Sequence, residues 1–183
     1  MKYVYHGSLI PNLKIIKKNK NSRNQNWVYG TYLKEVALIF INNKGNDLYY
    51  YLAGSGTEDD PIVLVERKKD MFKKIFNISG TIYKLSAKNF LKNVTGWSAE
   101  VISNYDEEVI AEEKIENVYE ELKTLAFQNK IKLYLYPNRP KNIPLDNSDL
   151  IKKVKNWQKF GFDTEIFFNL YPELKDKFYQ ETS

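Results

Sequence analysis

Residues able to do chemistry stand in three separated clusters. The chain's single histidine, His6, lies in Tyr5-His6-Gly7-Ser8, where the strand-like Tyr3-Val4-Tyr5 meets a Gly-Ser turn followed by Pro11. Gly7 has no Cβ, so a planar ligand can approach its backbone and use the N–H and C=O directly. Ser8 adds a hydroxyl donor and acceptor. An ordinary turn histidine beside a turn glycine accounts for the same residues. The second cluster is Val28-Tyr29-Gly30-Thr31, a short strand leading into a helix over Glu35 to Phe40. The third, Trp97 to Ser103, reads as a strand carrying Glu100. Alternation places Ser98, Glu100 and Ile102 on one face, so the carboxylate is either at a solvated sheet surface or turned into a cleft.

In this order, His-Gly-Ser, Val-Tyr-Gly-Thr, a helix with an aromatic and a later glutamate, the chain resembles the diphtheria-toxin and poly(ADP-ribose)-polymerase branch of ADP-ribosyltransferases. That branch is named for a His, a Tyr and a Glu, and the match spans roughly the first two-thirds of the chain. The resemblance implies an enzyme that takes NAD as substrate. Its catalytic set is then His6, Tyr29 and Glu100. His6 holds the adenosine-side ribose, while the Gly7 backbone and Ser8 hold the nicotinamide carboxamide. Phe40, eleven residues after Tyr29 where the family places a second aromatic, stacks the nicotinamide with Tyr29. Offset stacking of this kind contributes roughly 0.5–1.5 kcal/mol beyond area burial. Thr31 belongs to the same NAD-binding set, and Arg23 or Lys20, in a basic loop, suits the pyrophosphate. Glu100 binds a ribose hydroxyl and stabilises the oxocarbenium-like centre that forms as nicotinamide leaves.

Departures from the relatives narrow the reading. Ser98 stands where arginine-modifying transferases carry a glutamate, and their Arg and Ser-Thr-Ser set is missing, which disfavours transfer to arginine. RNA 2′-phosphotransferases resemble the opening region but use arginines near the histidine that this chain lacks. The acceptor is left open among proteins, nucleic acids and water. A noncatalytic module that binds an NAD-like ligand or a protein partner, an RNA 2′-phosphotransferase-like enzyme, and a plain structural or interaction protein remain the other readings.

The elements that position these residues follow from composition and pattern. The 183 residues are 43% hydrophobic and 15% aromatic, enough for one packed domain. Lys plus Arg number 28 against 23 Asp plus Glu, a net charge of +5 that permits a nucleic-acid partner without requiring one. The absence of cysteine excludes disulfides and thiolate metal sites, and one histidine excludes a His-rich zinc site, so no metal is expected. No stretch is apolar enough to span a bilayer, and no leader opens the sequence, so no membrane partner and a cytoplasmic location are expected.

Strands are expected at 3–6, 13–16, 28–31, 48–53, 61–65, 81–85, 97–103 and 131–136, and helices at 33–41, 69–76 and 115–125. The 17–26 stretch reads as an exposed loop, and the acidic 106–113 stretch as a solvated turn. The apolar run Ile62-Val63-Leu64-Val65 is the expected centre of the sheet. Pro137, Pro140 and Pro144 mark a linker, after which helices at 149–159 and 164–170 and a final turn at Pro172 form an appendage. The fold class is α+β, a split, antiparallel-rich sheet with flanking helices and a C-terminal helical segment. Residues 1–147 form the ADP-ribosyltransferase-like part and 148–183 the appendage packed on it.

Overall fold

The computed structural model describes residues 3–20, 25–42 and 47–180. In chain order these form β1 (Tyr3–Ser8), β2 (Ile15–Ile16), β3 (Asn19–Lys20), β4 (Asn26–Gly30), α1 (Lys34–Ile39), β5 (Tyr50–Ala53), β6 (Val63–Glu66) and α2 (Met71–Phe76). There follow β7 (Gly80–Ser86), β8 (Phe90–Lys92), β9 (Val101–Ser103), β10 (Glu107–Ile115), α3 (Val118–Phe127) and β11 (Lys132–Tyr134). The chain ends in α4 (Asp149–Gln158), α5 (Thr164–Leu170), a 3-10 turn (Pro172–Leu174) and α6 (Lys175–Gln180). This is an α+β fold, and its sheet is split.

Strands β1, β7, β10 and β2 form one sheet in that order, and β3, β4, β9 and β8 a second. Among the described residues the two meet at one antiparallel bridge, where Tyr5 N–H donates to the Thr31 carbonyl at 2.7 Å and Thr31 N–H returns a bond at 2.9 Å. Beyond this bridge the sheets part. A third sheet, β11-β6-β5, has the apolar β6 at its centre, parallel to β11 and antiparallel to β5.

Helices α1, α2 and α3 close the main core through Val36, Ile39, Phe72, Phe76, Val118 and Leu122. Two glycines set how tightly the layers meet. A Cβ on Gly7 would lie 2.0 Å from the Ala37 carbonyl oxygen of α1, and one on Gly30 would lie 2.3 Å from Val4 Cγ1. Only hydrogen fits at either place. Helices α4 to α6 bury a separate apolar cluster, Leu150, Val154, Phe167, Tyr171 and Phe178, around Leu48. Arg67, fully buried at the end of β6, holds them by a two-pronged bond to Asp149 at 3.1 and 2.9 Å. Its neighbour Glu66 has a different task, accepting bonds from the backbone N–H groups of Phe72 and Tyr136.

Several elements depart from the sequence expectation. Gly7 and Ser8 are not a turn; they continue β1, opposite Ile82 and Thr81 of β7. The acidic 106–113 stretch is not a solvated turn but most of β10, the longest strand described. Its backbone pairs along β7 while most of its glutamates face solvent, a charged surface of the kind that discourages strand-to-strand aggregation. The 97–103 strand shrinks to β9, and the 131–136 strand to β11. Within the 17–26 loop, β3 pairs with the start of β4.

Candidate functional site

The parting of β1 and β4 creates the site. In an antiparallel register the Tyr5–Thr31 bridge puts Gly7 opposite Tyr29, but no ladder continues there. Backbone groups two residues apart in a strand point the same way, so the N–H and C=O of Gly7 follow those of Tyr5 toward β4 and face the gap. A cavity of about 330 Å³ fills it, lined by His6, Gly7, Tyr29, Phe40 and Glu100 together with Tyr5, Gly30 and Ala37. That volume suits a ring and a sugar, at the small end of ligand pockets.

His6 fastens the two lips. Its Nδ1 lies 2.8 Å from the Tyr29 carbonyl oxygen, which can only accept, so Nδ1 carries the proton. In the neutral ring Nε2 is then an acceptor, able to take a ligand hydroxyl. Burial lowers the imidazole pKa below its ordinary 6.5, outweighing the opposing effect of the carbonyl bond, so the neutral form is favoured.

Two aromatic walls stand on different elements. Tyr29, in β4, packs edge-on against Trp27, with centroids 6.0 Å apart. Phe40 ends α1, is 38% exposed, and packs edge-on against Trp97 at 6.1 Å. Trp97 in turn donates its indole N–H to the Gly54 carbonyl at 2.8 Å.

Glu100 corrects the sequence reading while keeping its place in the site. It does not lie within a strand; it closes a turn, its N–H bonded to the Trp97 carbonyl at 3.1 Å, immediately before β9. The face assignment made for a 97–103 strand therefore does not apply. The turn nevertheless brings Glu100 to the cavity. Burial raises its carboxyl pKa above the ordinary value, and a hydrogen bond with Thr95 opposes this to a lesser degree. Among the described residues, no lysine or arginine lines the cavity. A single carboxylate among aromatic walls is complementary to a flat cation.

Other expected site residues are placed elsewhere. The Ser8 hydroxyl accepts the Ile10 N–H at 3.1 Å, and the Thr31 hydroxyl accepts the Leu33 N–H at 3.0 Å as the chain enters α1. Neither lines the cavity. Lys20, exposed in β3, does not line it either, and Arg23 lies outside the described residues. The missing Cβ of Gly7 is required by α1, on top of any use a ligand makes of its backbone. Tyr5, Ala37 and the Trp97 support were not singled out by the sequence. Tyr5 adjoins His6 and could have been found by that proximity, whereas nothing local links Trp97 to Gly54.

Comparison of the chain with family models, curated proteins and solved structures finds no match.

Proposed function

We propose that the protein is an NAD-dependent ADP-ribosyltransferase that cleaves the bond between nicotinamide and ribose and passes ADP-ribose to a protein or nucleic-acid acceptor. One observation carries the reading: residues as distant in sequence as His6, Gly7, Tyr29, Phe40 and Glu100 line a single cavity. The nicotinamide ring of NAD is a flat cation with a carboxamide. The aromatic walls, the Glu100 carboxylate and the outward-facing Gly7 amide and carbonyl match those three properties respectively.

In the proposed chemistry Gly7 fixes the carboxamide, and Tyr29 and Phe40 hold the ring between them. The neutral His6 ring, fixed by Tyr29, offers Nε2 to a hydroxyl of the adenosine-side ribose. Glu100 accepts a hydroxyl of the nicotinamide ribose. As the C1′–N bond breaks, its electron pair stays with nicotinamide, which leaves neutral. Positive charge then builds at C1′ beside the Glu100 carboxylate, whose fixed position stabilises it. A nucleophilic oxygen or nitrogen of the acceptor bonds to C1′ and releases its proton to Glu100 or water.

The test is nicotinamide release from NAD by the purified protein beside Glu100→Gln, with NAD affinity measured on both. Release by wild type alone, at matched affinity, supports the enzyme. Binding without release, even with protein and nucleic-acid extracts supplied as acceptor, would favour a noncatalytic NAD-binding module. No binding would end the reading.

A further inference from the structure

A second cavity, of about 560 Å³, lies at the other end of β6, where the Arg67–Met71 segment meets Asn147 and the end of α5. The first cavity's support, Trp97, is tied to Gly54 beside the start of β6, so the length of that strand separates the two. Its charge is unbalanced. Arg67 is matched by Asp149, and Lys68 by Glu173 at 3.5 Å, but Lys69 and Lys74 have no ionic partner among the described residues. The wall behind them is held by hydrogen bonds between buried groups. Arg67 is fully buried, and Asn147 Oδ1 accepts from both Arg67 at 3.3 Å and Arg139 at 3.0 Å. The buried Arg67 Nε–H has no protein acceptor. Met71, Leu145 and Leu170 make part of the lining apolar.

We propose that this cavity binds a small organic phosphate monoester. Such a group carries roughly −1.5 to −2 charges at neutral pH, which matches the two uncompensated lysines. Its oxygens suit lysine ammonium and guanidinium donors. The apolar lining accommodates a short organic body. A nucleic-acid strand fits less well, because it needs cations repeated along a track and here they converge on one hollow. The inference is independent of the chemistry proposed for the first cavity.

Binding of phenyl phosphate by calorimetry, and of a single-stranded DNA dodecamer, tests it on wild type, Lys69→Gln/Lys74→Gln and the charge-matched control Lys114→Gln/Lys152→Gln. All four lysines are exposed, so the fold is kept. The expected result is a tenfold or greater loss of phenyl phosphate affinity in Lys69→Gln/Lys74→Gln, no change in the control, and a shift of the Arg67 Nε–H resonance when the wild type binds. Equal affinity in the two variants, or no binding by wild type at millimolar concentration, would overturn the site. Tighter binding of the DNA, lost in the same variant, would overturn the small ligand in favour of a nucleic-acid backbone.

Discussion

His6 Nδ1 donates to the carbonyl oxygen of Tyr29 across 2.8 Å, joining two sheets at the place where their backbone pairing has stopped. The bond sets the tautomer and leaves Nε2 for a ligand. His6→Ala is expected to weaken NAD binding about tenfold, the effect of losing one charge-free hydrogen bond and some positioning, and to lower stability by about 1 kcal/mol. The folded protein holds this imidazole below its ordinary pKa of 6.5, so the unfolded chain binds the proton more readily. Stability should therefore fall as pH drops below 6.5 and level off once the folded protein also protonates. Denaturant titrations from pH 5 to 8 on wild type and His6→Ala check this; the extra slope should vanish in the variant.

Glu100 yields a prediction of opposite sign. Burial raises its pKa, so ionisation at neutral pH costs the folded state more than the unfolded one. The contribution favourable to folding is present below the unfolded value of 4.5 and is lost as pH rises through the folded value. Glu100→Gln should be more stable than wild type at pH 7, with the advantage disappearing near pH 4. The same substitution should lower nicotinamide release by about 10²–10³-fold, the scale for removing one preorganised electrostatic contact. A variant both more stable and inactive is the signature of a carboxylate kept for chemistry.

Gly7 separates steric need from backbone freedom. Its added Cβ would meet the Ala37 carbonyl at 2.0 Å, so Gly7→Ala must push α1 off β1. The expected cost is about 1–3 kcal/mol, as for other overpacked sites, with loss of NAD binding because Ala37 and Phe40 move with the helix. Gly96→Ala is the contrast: its φ of +86° disfavours a side chain, yet nothing lies within 4 Å. It should cost about 1 kcal/mol and leave binding intact. Thermal melts and NAD titration on both variants distinguish the two cases.

What the sequence revealed was set by the range of the forces involved. Apolar periodicity located α3, which buries one face, an unbroken apolar run located β6, whose successive residues are buried, and capping and stopping residues around 149–159 located α4. The ordered His6, Tyr29, Phe40 and Glu100 also pointed to residues that share a cavity. Pattern failed where backbone pairing overrides side-chain character. β10 hides its period behind Glu107, Glu108, Glu112 and Glu113 and a register shift between Val109 and Ala111, and is a strand because β7 offers it a ladder. Gly7 and Ser8 read locally as a turn, and β7 extends them as well. Glu100 was placed on a strand, whereas the turn beginning at Trp97 positions it, and that tryptophan is anchored to Gly54 in a distant turn.

Arg67 and Asp149, 82 positions apart, fasten α4 to the end of β6. Arg67 is wholly buried, and among the described residues Asp149 is the one carboxylate that the guanidinium engages. Asp149→Ala leaves a buried cation without its anion and is expected to cost about 3–5 kcal/mol, seen as a lower urea midpoint and faster tryptic cleavage within α4 to α6. Replacing both residues by apolar ones of similar size, Arg67→Met with Asp149→Leu, removes the stranded charge along with the bond. That double variant should recover most of the loss. If it proved as unstable as Asp149→Ala, the cost would come from the shape of the joint around Asn147 and Arg139, which also bond into it, and not from the unpaired charge.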